Sequence, residues 1–145
     1  MATCREFARS VLGRMLPYVD NADMEGSWPE EIALYVFLAE TVRDGSFEIA
    51  KIEKALGRLT ELSQQDEVHA IETDGDITDF LCALDELVAL EEGIGDSKSA
   101  AAVSEQMMNI LDSHFTPHAS DHVWLTTPEI KEEFEKQLEF LRQRN

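Results

Sequence analysis

Residues 77–92 read ITDFLCALDELVALEE, and Gly93 follows them. Ile77, Phe80, Leu81, Leu84, Leu87 and Val88 recur at three- and four-residue intervals, the spacing of one helical face. Asp79, Asp85, Glu86 and Glu92 fall mostly outside that face. Gly93 takes a left-handed conformation at little cost, so the helix is expected to stop there. Cys82 adjoins the apolar stripe and reads as a packed thiol.

The same periodicity extends in both directions. A first helix is predicted over 5–18, with Phe7, Val11, Leu12, Met15 and Leu16 on one face. Thr3 and Glu6 have capping-box spacing, and Pro17 predicts fraying near the end. Ser27 and Glu30 repeat that spacing, with Pro29 suited to a first turn. The run Ile32 to Ala39 is apolar on all sides, which predicts burial from several directions and a place at the centre of the fold. A third helix is predicted over 47–68 on Ile49, Ile52, Leu56, Leu59 and Leu62; Gly57, costly in a helix interior, points to close packing. A fifth spans 97–113 with Ser97 as N-cap and Ala100, Val103, Met107, Ile110 and Leu111 inward. Met107-Met108 with Ile110 reads as core more readily than as an adaptable binding surface. A last helix runs from Thr127 and Pro128 to Gln143 on Ile130, Phe134, Leu138 and Leu141. No strand alternation or internal repeat is visible. The fold class is therefore all-α, a compact bundle of about six amphipathic helices around a central apolar helix.

At 145 residues the chain reads as one helical domain, 1–145. A domain of that size buries about 68–70% of its unfolded surface and needs no staple. Cys4 and Cys82 are too few and too far apart for a disulfide framework or a metal knuckle, and both are expected to be reduced. No apolar run has the length of a membrane span. Arg5, Glu6, Arg9 and Arg14 interrupt the apolar core a signal peptide would need, and a cytoplasmic location is expected.

Thirty acidic residues face twelve basic ones, a formal net charge of −18. Such a surface repels phosphate backbones and anionic membranes, so neither nucleic acid nor membrane is expected as a partner. Residues 59–97 contain twelve acids and no Lys or Arg. Asp66, Glu67, Glu72, Asp74, Asp76 and Asp79 crowd the turn between the third and fourth helices. They are the candidate partner-binding residues, against the plainer reading of a solvated face.

Three segments carry a family likeness: Arg14-Met15-Leu16-Pro17-Tyr18, then Ala83 to Leu90 followed by Val103-Ser104, and Glu132-Glu133-Phe134-Glu135. On these the chain resembles the DUF416 (YjaG-like) family of bacterial helical proteins. The resemblance implies a helical fold and brings no catalytic residues, because that family's function is unknown.

Enzyme chemistry finds little footing. His114, His118 and His122 are spaced by four, which on a continuous helix would align three imidazoles for a metal. Pro117 interrupts that helix, and polar loop histidines are the plainer reading. Glu72-Thr73-Asp74-Gly75-Asp76 fails as a calcium loop, since Ile77 and Ala83 stand where Gly and Glu are required. Neither a nucleophile elbow nor a phosphate-binding glycine motif occurs. The expectation is a non-enzymatic binding protein without cofactor or metal, an immunity or inhibitor protein that neutralises a basic partner such as a bacterial toxin. The alternatives are a metal-dependent hydrolase built on residues 114–122 and a helical oligomeric or adaptor protein.

Overall fold

The computed structural model describes residues 2–65, 74–115 and 127–143. Six helices occupy them: α1 (Ala2–Asp20), α2 (Pro29–Asp44), α3 (Ile49–Gln65), α4 (Gly75–Glu91), α5 (Ser97–Phe115) and α6 (Pro128–Gln143). No strand occurs among the described residues, and the fold is an all-α bundle. One continuous hydrophobic core draws on all six helices. No helix among the described residues is long and apolar enough to cross a membrane.

The centre of the bundle is α4, not α2. Helix α4 packs against α1, α3 and α5, and its contact with α5 is the most extensive in the molecule. Ile77, Phe80, Leu84 and Leu87 are fully buried there. Each such side chain stabilises the fold by about 1.5–3 kcal/mol. Helix α2 packs chiefly on α1 and α3, leaving Val36 50% and Phe37 37% exposed. An apolar run without a polar face does not specify which side it buries. Here the i, i+3, i+4, i+7 set Tyr35, Leu38, Ala39 and Val42 is buried, Ile32 and Leu34 are half-buried, and Ala33, Val36 and Phe37 stay outside.

Several local expectations shift by a residue or a face. Helix α1 already includes Thr3, so Thr3 is no N-cap, and it continues through Pro17 to Asp20. At α2 the cap is Trp28, whose N–H donates to Glu31 Oε1 at 2.8 Å. Asp96, not Ser97, caps α5, its Oδ1 accepting from Lys98 N at 2.9 Å. Phe47 stands outside α3 with a left-handed φ of 40°. Its ring lies under the Arg9 guanidinium, 4.7 Å from its centroid. The predicted continuation of α3 to Val68 lies outside the described residues. Met107, Met108 and Ile110 are all buried, as core side chains.

The largest departure is at α6. The predicted inner stripe is mostly outside: Phe134 is 43% and Leu141 41% exposed. What α6 buries is Ile130, Glu133 and Gln137. Arg14 reaches Glu133 from α1 with two bonds, Nε to Oε1 at 2.5 Å and a terminal nitrogen to Oε2 at 2.9 Å. Gln137 donates to the same carboxylate at 2.7 Å and accepts from Ser104 of α5 at 2.5 Å. A buried carboxylate must be paired, and satisfying Glu133 turns the helix away from the face its leucines would choose.

The α4–α5 joint is tight. Gly93 has φ 76° and Gly95 donates its N–H to Ala89 O at 2.8 Å. A Cβ on Gly95 would lie 2.9 Å from Leu90 N and 2.8 Å from Ser99 Oγ. Gly57, expected to mark close packing, instead faces open space. Two substitutions therefore have opposite signs. Gly57→Ala should raise stability by about 1 kcal/mol through helix propensity alone. Gly95→Ala should lower it by about 1–3 kcal/mol, because backbone atoms must move. Urea denaturation of both variants checks the pair.

Candidate surface on the central acidic helix

Asp74 ends the approach to α4 and acts as its N-cap. Its Oδ1 accepts from Asp76 N at 2.8 Å, and its Oδ2 accepts from Asp23 N at 3.2 Å, which ties the α1–α2 connection to the start of α4. Asp76 follows in the first turn and is buried. Its Oδ2 is 2.6 Å from His114 Nε2 in the last turn of α5. An acid at a helix N-terminus complements the helix dipole. Tyr18 stacks on this pair, its ring centroid 5.1 Å from that of His114. Burial, and then Glu129, Glu133, Asp76 and Glu132, push the Tyr18 hydroxyl above its ordinary pKa. The phenol therefore stays neutral.

Of the six candidate binding residues, then, Asp74 and Asp76 are engaged in holding α4 in place. Asp66, Glu67 and Glu72 lie outside the described residues, as do His118 and His122. Asp79 remains, on the outer face of α4. Burial, followed by the neighbouring Asp76, raises its carboxyl pKa, and a hydrogen bond with Asn109 partly offsets this. Asp85, one and a half turns further, is raised first by burial and then by Glu86. Between them sits Cys82, which is exposed rather than packed in the core. Partial screening of its sulfur from water raises the thiol pKa, and Asp85, Asp79 and Glu86 push it further up. Three carboxylates thus surround one thiol. None of the three forms an ion pair with a described Lys or Arg.

A cleft of about 340 Å³ runs beside this face, between α4 and the α2–α3 pair. Tyr35, Leu56, Leu59 and Leu81 give it an apolar floor, and Glu31, Cys82 and Asp85 line its polar side. The arginines of α2 and α3 are held elsewhere. Arg43 bonds Asp20 at 2.7 Å and Glu40 at 2.5 Å. Arg58 is held by Glu30 and Glu61, and its hydrogen bond lowers the pKa of Glu30. The sequence signal for this surface was present in Asp79, Asp85 and Glu86 standing off the apolar stripe. Their spacing of three and four from Cys82 places them around it on any helix; only the structure sets that face beside a cleft.

The chemistry open to this surface is limited. A thiol with a raised pKa is mostly protonated near neutrality and is a poor nucleophile. Among the described residues no group of three or more His, Cys, Asp or Glu is placed to hold a metal ion. What the surface offers is negative charge next to apolar area. No family model matches this chain, nor does any curated protein or solved structure.

Two consequences are measurable. A carboxyl whose folded pKa is raised binds its proton more tightly folded than unfolded, so stability falls as pH rises from the unfolded pKa through the raised one. Asp79→Asn and Asp85→Asn should therefore each stabilise the protein slightly near pH 7, by up to about 0.5 kcal/mol, and flatten the fall in stability as pH rises above the unfolded carboxyl pKa of about 4. The same substitutions should lower the Cys82 pKa and speed its alkylation at pH 8, read by mass spectrometry with Cys4 as the internal reference.

Proposed function

We propose that this chain is an acidic binding protein whose outer α4 face takes a cationic protein surface. The role is that of an inhibitor, as an immunity protein is for a cognate bacterial toxin. The observation that supports this reading is the trio Asp79, Asp85 and Glu86, set around Cys82 without a described cation and beside an apolar-floored cleft. Partly buried carboxylates without a counter-charge cost stability. A Lys or Arg from a partner would offset that cost, and aliphatic stems or an aromatic anchor would fill the cleft. The net charge of −18 would steer a basic partner toward the complex and speed association.

A hydrolase built on residues 114–122 draws no comparable support, since His114 is committed to Asp76 and Tyr18. The DUF416 likeness contributes no chemistry to either reading.

Affinity capture from source lysate at low and high salt, read by mass spectrometry, tests the proposal. One basic protein should be recovered at low salt and lost at high salt. The variant Asp79→Lys/Asp85→Lys/Glu86→Lys, checked for helicity by circular dichroism, should weaken that complex at least about tenfold, mainly through the association rate. A complex indifferent to the triple reversal would move the contact off α4. Recovery of no basic protein at all would sink the inhibitor reading.

A further inference from the structure

Helix α6 carries an apolar stripe that the other described helices leave partly uncovered. Phe134, Leu138 and Leu141 are spaced by four and three, the d-a-d positions of a heptad seam. Phe134 and Leu141 are large exposed hydrophobics. The stripe also forms one wall of an apolar groove of about 340 Å³, whose other walls are Cys4 and Phe7 of α1 and Ala101 of α5. Because Glu133 and Gln137 face inward, no rotation of α6 can hide these side chains without breaking the bonds to Arg14 and Ser104.

The charges beside the stripe indicate what covers it. Glu135 and Arg142 are exposed and seven residues apart, two turns along the same edge, with Leu138 between them. Both are e positions of the heptad defined by the stripe. In an antiparallel helix pair, e positions face e positions, and their charges fix orientation. A second α6 laid antiparallel about Leu138 sets Glu135 of each copy against Arg142 of the other. A parallel pair would instead set the e positions against g positions, which here are the inward-facing Ile130 and Gln137, so neither charge would meet its opposite. Lys131, an a position one heptad before Leu138, adds a cation at the end of the stripe, which suits a basic partner less well than the outer face of α4. The twelve acids of residues 59–97, the main source of the chain's charge, belong to other elements.

We infer that the exposed α6 face is a self-association surface, joining two copies of this chain through an antiparallel α6–α6 contact about Leu138. Two heptads of seam bury less than the roughly 800 Å² per partner of a standard stable interface. The groove walls on α1 and α5 extend the contact, and a dimer of micromolar strength is expected. It does not depend on the reading of the α4 face. Salt should loosen capture of a basic protein, whereas an apolar seam between two acidic chains should persist at high salt.

Sedimentation velocity over roughly 1–300 µM, a range that brackets micromolar affinity, should show a monomer–dimer equilibrium. Leu138→Glu should raise the dimer Kd at least tenfold. Glu135→Arg should weaken it several-fold, and Glu135→Arg/Arg142→Glu should restore it to within about threefold of the parent. The double reversal leaves the seam and the Arg14–Glu133 bonds intact, so its rescue is readable even where Leu138→Glu unfolds the chain. A monomer at every concentration, a dimer untouched by Glu135→Arg, or a failed rescue would each overturn the proposal. So would a captured basic protein occupying the α6 stripe of a monomeric chain.

Discussion

The bond from Arg14 to Glu133 sets the arrangement of half the molecule. An ionised carboxylate in a protein interior is tolerated only with a paired cation and further hydrogen bonds. Glu133 has the two Arg14 bonds and the Gln137 amide. Through Gln137 and Ser104 the same network reaches α5. The rotation of α6 about its own axis follows from this demand. Ile130 is its one fully buried apolar anchor, Leu138 is half-buried, and Phe134 and Leu141 are left exposed. An apolar residue at position 133 would remove the constraint and let α6 turn its leucine stripe inward.

A second polar pair does corresponding work at the other end. Asp76 and His114 join the start of α4 to the end of α5. Between this pair and the tight joint at Gly95, α4 and α5 are fixed at both ends, with the bulk of the core between them. Asp74 adds the tether to Asp23. The two acids at the start of α4, Asp74 and Asp76, are therefore structural, and the next ones, Asp79, Asp85 and Glu86, are left without a described counter-charge. Charge that serves packing and charge that faces solvent alternate along one helix, according to which side of α4 each position occupies.

All six helices were legible in the sequence because their apolar positions recur at helical spacing, and α4 was read to within two residues at either end. What the sequence did not reveal follows from the same rule. Periodicity identifies an apolar face but not whether a neighbour covers it. The run Ile32 to Ala39 has no polar side, so its surroundings could not be inferred, and Phe37 proved exposed. Phe134, Leu138 and Leu141 form a clean stripe, yet one buried glutamate outweighs them. The pairing of Arg14 with Glu133 spans 119 residues, and no local pattern signals it. For the candidate surface, the sequence marked the acidic excess but not its division. Asp76 is indistinguishable in sequence from Asp79, and only the tertiary approach of His114 separates a buried, paired acid from a half-buried one without a counter-charge.

The two unfilled surfaces differ in kind. The α4 face joins negative charge to a cleft with an apolar floor, which favours a cationic partner and fast, salt-sensitive encounter. The α6 stripe is apolar with charges of both signs on its edge, which favours a surface patterned like itself. Helices α4 and α6 both pack on the α1–α5 pair, and neither is a principal neighbour of the other. Occupation of one surface therefore need not displace the other. A dimer through α6 would carry two α4 faces and twice the charge, so each copy would raise the field that draws a basic partner to its twin. The opposing cost is mutual repulsion of two acidic chains. That repulsion is smallest where the contact itself holds both signs of charge, as the edge of α6 does.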